Sequence, residues 1–364
     1  MMTMTTGTKT TMTDRVGGFA APSLFEGKPC DLYHIPGDTG DCWRLNKFVE
    51  YQHEVPSIHY RVLGEYIKKH VPDLDDAVMM CWYMSVTYNE VTCVLLQELF
   101  KWRTLTPKTV HEYCERFWEE TKPILDFGSS RKYAKNMDWF PSLMESFIRA
   151  TRCKPLLWLR GQITGDPIKD YTAVYKAVSG LPYTGRFAAD LFMESIMYLG
   201  DRLGIELEEP SKLNWHKCSN LTSGLLNIFY YDSEANSYDK TGKLPVPEGF
   251  LTECLETVQK AIEEVYPDQN NSINLFVGKI CSFRNLFKSA RYGGFHHDRE
   301  LGVLREYQRI LPEYDYLWYR LFRLRRRMFD SRFLGELHDW DGIRTERKKL
   351  WLRKGLTGVE EDAC

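Results

Sequence analysis

A group of basic side chains beside a pair of glycines is the part of this chain best suited to chemistry. Arg284 and Lys288 lie four residues apart on a predicted helix, so their charged groups can reach the same place. The helical pattern ends at the glycines 293–294, and Arg291 and Arg299 stand on either side of that break. Four cations gathered in this way can bind a phosphate-rich leaving group and stabilise its developing charge.

Groups that could move a proton stand at the same turn. Asp298 lies near the start of the next predicted helix, and His297 directly precedes it. Either side chain can accept a proton from a reacting group. The same residues also fit a structural role, in which Asp298 caps the helix and pairs with an arginine while the histidine lies on the surface. The residues alone leave both interpretations open.

A helical hairpin is predicted at residues 180–192, where one helix ends, the chain turns tightly and a second helix starts. Pro182 cannot continue a helix, and Gly185 permits a positive φ. The unpaired N–H groups at the start of the second helix suit a nucleic-acid phosphate. Tyr183, Gly185 and Arg186 are therefore candidate DNA contacts. An ordinary helical hairpin with a proline stop explains the same residues equally well.

The net charge of −2 conceals an uneven distribution. Residues 284–354 contain 18 basic and 10 acidic side chains, so this segment carries +8 and the rest of the chain −10. Within it, Arg320, Arg323 and Arg327 fall on one stripe of a predicted helix, a spacing that can follow a polyanion. Arg323 and Arg327 are therefore candidate DNA contacts, with a solvated helix face as the alternative.

Composition excludes several classes of protein. No apolar run approaches the roughly 20 residues that span a bilayer, and residues 1–22 lack the apolar core of a signal peptide, so they are predicted to be a disordered leader. The 10 cysteines form no Cys-x-x-Cys pair, which argues against a zinc ribbon or a disulfide framework and favours a reducing cytoplasm. Neither a zinc-binding helix nor a nucleotide-binding glycine loop is present, so no metal and no cofactor is predicted.

The pattern of apolar residues predicts an all-α protein. A helical body at 23–330 contains the hairpin at about 171–203, and a basic tail follows at 331–364. The stretch 231–249 is predicted to be a long loop, which could be an insertion over a site. One predicted helix covers 75–101, with Asp75 and Asp76 as its cap and dipole partners. The other predicted helices cover 107–121, 139–149, 171–179, 188–203, 250–266, 271–288, 297–311 and 316–328.

Three short motifs carry a family resemblance. They are the hairpin Leu181-Pro182-Tyr183-x-Gly185-Arg186-Phe187-Ala188-Ala189, the helix Cys281-x-x-Arg284-Asn285-Leu286-x-Lys288, and the turn Arg291-Tyr292-Gly293-Gly294-Phe295-x-x-Asp298-Arg299. Together they resemble the phage α-glutamyl/putrescinyl thymine pyrophosphorylases, also called amino acid:DNA transferases. Members of that family are helical and similar to helix-hairpin-helix DNA glycosylases, so the resemblance implies that fold for roughly 75–327.

The resemblance implies transfer chemistry on DNA. In that family a separate kinase first pyrophosphorylates 5-hydroxymethyluracil in double-stranded phage DNA. The transferase then replaces the pyrophosphate with the nitrogen of a free amino acid or polyamine, which yields a hypermodified thymine. The implied location is the cytoplasm of the infected bacterial cell. Which amine is donated cannot be read from the residues.

The implied roles fall on named residues. The four cations described above would hold the departing pyrophosphate. Asp298 is the first choice as the group that takes a proton from the attacking amine, with His297 and His216 behind it. If the target base is flipped out of the duplex, Trp215 and Tyr292 are candidates to stack on it.

Two other functions stay open. A base-excising glycosylase would need a catalytic aspartate after the hairpin, and Asp201 stands near the required position. Beside Arg202, at the end of a predicted helix, Asp201 is instead expected to belong to a surface ion pair. A non-catalytic DNA-binding protein is the third possibility, and it would leave the glycine turn open and shallow.

Overall fold

The computed structural model describes residues 45, 48–49, 60–128, 131–210, 224–225, 228, 248–265, 280 and 295–328. The chain divides into two compact units. Ser57–Ser211 and Gly294–Trp340 form one of them, called here the main helical unit. The other unit consists of Met1–Pro56, Lys212–Gly293 and Asp341–Cys364.

All regular structure in the described residues is helical, which confirms the predicted all-α class. No helix among these residues has both the length and the apolar character needed to cross a membrane. Short 3-10 turns occupy Trp102–Thr104 and Pro312–Tyr314. The α-helices are α1 Tyr60–His70, α2 Leu74–Thr87, α3 Glu90–Leu99, α4 Val110–Thr121, α5 Arg131–Thr151, α6 Pro155–Arg160, α7 Pro167–Ser179, α8 Arg186–Tyr198, α9 Gly200–Leu203, α10 Glu248–Val265, α11 Phe295–Ile310 and α12 Asp315–Met328.

The helix predicted over 75–101 is in fact two helices, α2 and α3. Tyr88 adopts a left-handed conformation (φ 51°, ψ 38°) and ends α2. Asn89 then caps α3, because its side-chain oxygen accepts the N–H groups of Val91 at 3.0 Å and Thr92 at 3.2 Å. A strong N-cap residue inside an apolar run therefore starts a new helix.

Asp75 and Asp76 lie in the first turn of α2, as expected of partners for the helix dipole, but neither is its cap. Asp73, not Asp75 or Asp76, is the N-cap, and its side chain accepts the N–H of Asp76 at 3.0 Å. Asp75 instead accepts the N–H of Leu156 at 2.8 Å, in the first turn of α6. This long-range hydrogen bond joins two helices, and no local sequence signal marks it.

Helix α2 is the centre of the main helical unit, since all of its residues from Ala77 to Thr87 are buried. Trp82 stacks on Phe147 of α5 with ring centroids 4.4 Å apart and an interplanar angle of 6°. Its edge meets Phe192 of α8 at 6.3 Å. Buried aromatic contacts of this kind add about 0.5–1.5 kcal/mol beyond the apolar area that they bury. They hold α8, the second helix of the hairpin, against the core.

Helix α8 also packs closely against α1. A Cβ atom added to Gly64 would lie 2.2 Å from Cδ1 of Tyr198, so only glycine permits this approach. The Tyr198 hydroxyl donates a hydrogen bond to Oε1 of Glu65 at 3.0 Å. Neither α1 nor α6 is among the helices predicted from the sequence, and both contribute to the packing around α2 and α8.

The start of α7 is anchored by two aspartates. Asp166 is its N-cap and accepts the N–H of Lys169 at 3.2 Å. Asp170 accepts the N–H and hydroxyl of Thr164 at 2.8 and 2.7 Å and the N–H of Gly165 at 2.9 Å. Burial favours the neutral form of Asp170, but these hydrogen bonds hold its pKa below the ordinary value. These hydrogen bonds fix the loop before α7 to α7 itself, which is the first helix of the hairpin.

Several expectations lie outside the described residues. They include the leader 1–22, the domain boundaries near 22 and 330, the basic tail 331–364 and the helix expected over 271–288, of which only residue 280 is described. The stretch 231–247 of the expected loop is also undescribed, whereas residues 248 and 249 belong to α10.

Candidate nucleic-acid interface

The structure places a helical hairpin where the sequence predicts one. Helix α7 ends at Ser179, and the N–H of Gly180 donates to the carbonyl of Lys176 at 3.0 Å. The N–H of Thr184 donates to the carbonyl of Leu181 at 3.1 Å, which closes the turn before α8 begins. Helices α7 and α8 pack against each other.

The positive φ in this turn belongs to Tyr183 (φ 63°), and Gly185 adopts an extended conformation (φ −88°, ψ 169°). The expectation that Gly185 supplies the positive φ is therefore wrong. A Cβ atom added to Gly185 would meet no atom within 4 Å. This glycine leaves open space in front of the backbone, and it is not required by the turn itself.

Helix α8 starts without a side-chain cap of its own. Gly185 is its N-cap residue, and glycine has no side chain that could accept the first N–H groups. The N–H groups of Ala188 and Ala189 donate to the Gly185 carbonyl at 3.1 and 3.2 Å, so the helical pattern begins at this carbonyl. Nε of Arg186 lies 3.8 Å from a carboxylate oxygen of Asp190 on the same helix. The DNA contact expected of Arg186 stays a prediction.

An exposed aromatic pair lies beside this helix start. Tyr183 is 55% exposed and Trp139 of α5 is 41% exposed. Their ring centroids are 5.5 Å apart. Tyr183 is a candidate contact on its sequence, whereas Trp139 is not, because nothing in the sequence around residue 139 distinguishes an exposed tryptophan from a core one.

A second surface is the outer face of α12. The predicted stripe is confirmed, because Arg320, Arg323 and Arg327 are all exposed. The neighbouring Arg326 is exposed as well. These four residues, named here the arginine face, form no ion pair with any residue that the structure describes. Leu317, Trp318, Leu321 and Leu324 occupy the opposite, buried side.

The end of α1 lies next to the arginine face. Helix α12 packs on α1. Partial burial lowers the pKa of His70, and the nearby charges of Arg320, Lys69 and Arg327 lower it further. Lys69 itself lies 3.7 Å from a carboxylate oxygen of Glu65. The positive region therefore extends from α12 to the last turn of α1.

One arginine in the same run is not on the surface. Arg325 is completely buried and donates hydrogen bonds to Oε1 of Glu90 on α3 and, at 3.1 Å, to Oε2 of Glu300 on α11. Burial and the neighbouring Glu300 raise the pKa of Glu90 well above its ordinary value, against the opposing effect of Arg325. This cluster, named here the buried ion triad, joins α3, α11 and α12 at one point.

The predicted acid–base residues fall at the start of α11. This helix begins at Phe295, so Asp298 lies inside its first turn and is not the N-cap residue. His297 and Arg299 lie in the same turn, and Glu300 of the buried ion triad directly follows. The backbone of this turn is therefore held in place by a buried contact. The side chains of His297, Asp298 and Arg299 are outside the described part of the structure.

The remaining predicted site residues lie outside the described residues altogether. They are Trp215, His216, Arg284, Lys288, Arg291 and Tyr292.

The surface pair expected of Asp201 and Arg202 is not formed as predicted. Asp201 is exposed in the short helix α9. Arg202 instead donates hydrogen bonds to the carbonyls of Ile67 and Val71 at the end of α1. The Ile67 carbonyl also accepts the N–H of Val71 at 3.1 Å, and a cation at a helix C-terminus complements the helix dipole.

Within the described residues, no cluster of three histidine, cysteine, aspartate or glutamate side chains could hold a metal ion. No family model, no curated protein and no solved structure matches this chain.

Proposed function

We propose that this chain is a DNA-modifying transferase. It replaces the pyrophosphate on pyrophosphorylated 5-hydroxymethyluracil in duplex DNA with the amine nitrogen of an amino acid or polyamine. The three sequence motifs at 181–189, 281–288 and 291–299 support this activity. The structural observation that carries the DNA part of the proposal is the N-terminus of α8, which begins at an exposed glycine at the tip of the hairpin.

The hairpin offers a duplex two kinds of contact. A phosphate can approach the start of α8, where the helix dipole favours an anion and a Cβ atom added to Gly185 would meet no atom within 4 Å. Tyr183 and Trp139 present exposed aromatic surface directly beside that place. Contacts to phosphate position a duplex without reading its sequence.

The chemistry follows from what each step of the transfer requires. The donor amine must lose a proton before it attacks the methylene carbon, and Asp298 or a neighbouring histidine accepts this proton. A new C–N bond forms as the C–O bond to pyrophosphate breaks, and the electron pair leaves with the pyrophosphate oxygen. Arg284, Lys288, Arg291 and Arg299 stabilise the charge that develops there.

The arginine face favours a second candidate, a DNA-binding protein without catalytic activity. Four exposed arginines on one helix can bind a polyanion in a protein that catalyses no reaction. The glycosylase alternative depends on Asp201, which lies exposed in α9. These functions give different products from the same DNA, and one experiment separates them.

The experiment is mass spectrometry of nucleosides. DNA containing 5-hydroxymethyluracil is pyrophosphorylated enzymatically and incubated with the full chain and a mixture of amino acids and polyamines. A thymidine carrying one added amine supports the proposal and identifies the donor. Abasic sites would indicate a glycosylase, and unchanged nucleosides together with DNA binding would indicate a non-catalytic protein.

Two variants test the assignment of the pyrophosphate site. Arg284→Ala is expected to abolish transfer and to leave DNA binding nearly intact, because its role is to stabilise the leaving group. Arg309→Ala is the matched control, since Arg309 is exposed on α11 and paired with Glu306 at 2.6 Å. Transfer at the wild-type rate by Arg284→Ala would refute the assignment.

Gly185→Ser tests the hairpin separately. A serine hydroxyl can cap α8 and stabilise the fold by a few tenths of a kcal/mol. The same hydroxyl occupies the place of the phosphate, so duplex affinity should fall about tenfold, the value of one hydrogen bond to a charged group. Thr109→Ser, at the exposed N-cap of α4, is the control and should not change binding. Unchanged duplex affinity of Gly185→Ser would remove the hairpin from the interface.

A further inference from the structure

The outer face of α12 carries aromatic rings as well as arginines. Tyr316 is 45% exposed and Tyr319 is 60% exposed. They lie on the same side of the helix as Arg320, Arg323 and Arg327, because the exposed positions recur at intervals of three and four residues. The Tyr316 hydroxyl lies within hydrogen-bonding reach of Glu98 on α3, but this contact involves the hydroxyl and leaves much of the ring exposed.

Each of these rings has an arginine four residues further along the helix. The guanidinium carbon of Arg320 lies 5.4 Å from the centre of the Tyr316 ring, and that of Arg323 lies 5.7 Å from the centre of the Tyr319 ring. A flat apolar surface and a cation therefore alternate along the face. Single-stranded nucleic acid binds to surfaces of this kind, where bases stack on the rings and phosphates meet the cations.

The spacing of the rings fits successive bases. Tyr316 and Tyr319 are three residues apart, which corresponds to about 4.5 Å along a helix axis. Neighbouring bases in a stacked strand are about 3.4 Å apart, and a slightly extended strand matches the larger step. In a duplex the faces of the bases are covered by their neighbours, so the rings would gain no stacking partner there.

The charge of the face is mainly positive, and the carboxylate beside its Tyr316 ring in the described residues is that of Glu98 on α3. Between Tyr316 and Met328 the sequence contains no acidic residue. Asp315, at the start of the helix, accepts a hydrogen bond from Gln308 at 2.9 Å. Positive charge therefore increases toward the end of α12, where Arg327 is close enough to His70 of α1 to contribute to lowering its pKa.

We infer that the exposed face of α12 binds single-stranded DNA, with Tyr316 and Tyr319 stacking on bases and Arg320, Arg323 and Arg327 contacting phosphates. This inference takes from the proposed function only that the partner is DNA. It adds a second surface to the hairpin, which is suited to a duplex. The two surfaces together would let the protein engage DNA in which a short segment is unpaired.

The test measures binding of the full chain to a fluorescein-labelled single-stranded oligothymidine and to a labelled duplex of equal length, by fluorescence anisotropy over a range of salt concentrations. Tyr319→Leu removes the ring and keeps an apolar side chain. It should weaken single-strand binding at least about fivefold, the lower end of the value of one base–aromatic stack, and leave duplex binding unchanged.

Arg323→Gln tests the phosphate contacts. It should lower the slope of log affinity against log salt concentration by about 0.7 for the single strand, which corresponds to the loss of one neutralised phosphate. Arg309→Gln is the matched control, because Arg309 is exposed on α11 and forms an ion pair with Glu306. All three changes are at exposed positions, so thermal unfolding of the variants should match that of the wild type.

The outcomes decide the inference independently of the transferase proposal. The inference is overturned if Tyr319→Leu binds the single strand as well as the wild type does, or if the wild type does not bind the single strand. It is also overturned if Tyr319→Leu weakens duplex binding as much as single-strand binding. A wild-type protein that binds single strands through Tyr319 but transfers no amine would refute the proposed function and leave this inference standing.

Discussion

Replacing Arg325 with methionine should destabilise the protein strongly. The side chains of Arg325 and Glu90 are completely buried, and that of Glu300 is 4% exposed. Arg325→Met keeps a long, unbranched side chain and removes the cation, which leaves two carboxyl groups together in the interior. Breaking a buried ionic contact by removing one partner costs about 3–5 kcal/mol. For a unit of roughly 200 residues this corresponds to a fall in Tm of about 6–20 °C.

The loss of stability caused by Arg325→Met should also depend on pH, and the pKa shift of Glu90 sets its direction. Burial and the charge of Glu300 raise the pKa of Glu90, so ionisation of this carboxyl opposes folding. A group whose pKa is raised on folding contributes stability that is fully present below its unfolded pKa, about 4.3 for glutamate, and is lost as the pH rises. Without Arg325 both carboxyl groups should behave in this way. The difference in Tm between wild type and Arg325→Met should therefore be small near pH 4 and large at pH 7.

The assay is thermal unfolding followed by circular dichroism between pH 4 and pH 8. Arg326→Met is the matched control, because it makes the same change at the adjacent, exposed position and should alter stability by no more than about 0.5 kcal/mol. Glu90→Gln in the Arg325→Met background removes one of the two carboxylates and should recover part of the loss. An Arg325→Met protein that unfolds at the wild-type temperature at pH 7, or whose deficit does not shrink on acidification, would refute the reasoning.

Three further predictions concern the packing and electrostatics of the main helical unit. Gly64→Ala should lower stability by about 1–3 kcal/mol, because the new methyl group would overlap the Tyr198 ring; a Tm equal to that of the wild type would contradict this close packing. Tyr183→Gly should be more stable than Tyr183→Ala by about 1 kcal/mol in urea unfolding, since only glycine takes the observed φ without strain, and equal stabilities would argue against that conformation. The hydrogen bond to Glu145 raises the pKa of His111, so its contribution to stability is present below about pH 6.5 and is lost as the pH rises through the folded pKa; His111→Ala should flatten this part of the pH profile, and an unchanged profile would contradict the contact.

Much of the local structure could be predicted from the sequence. The all-α class, the position of the hairpin and the exposed stripe of Arg320, Arg323 and Arg327 were all evident in the spacing of apolar, basic and helix-breaking residues. These features depend on interactions between residues a few positions apart, and the sequence contains that information directly. The predicted helix bounds were wrong where two local signals competed. The apolar run over 75–101 indicated one helix, but the N-cap residue Asn89 starts a second helix within it.

Only the tertiary structure decided which residues meet. Within one run of arginines it buried Arg325 and exposed its neighbours, because Glu90 and Glu300 approach from other helices, 235 and 25 residues away. It also brought Trp139 beside Tyr183 at the hairpin, although nothing near either residue marks the other. Contacts across such separations depend on how helices pack around the core, so local spacing determines the helices, and packing determines which of their side chains form the buried ion triad and the exposed surfaces.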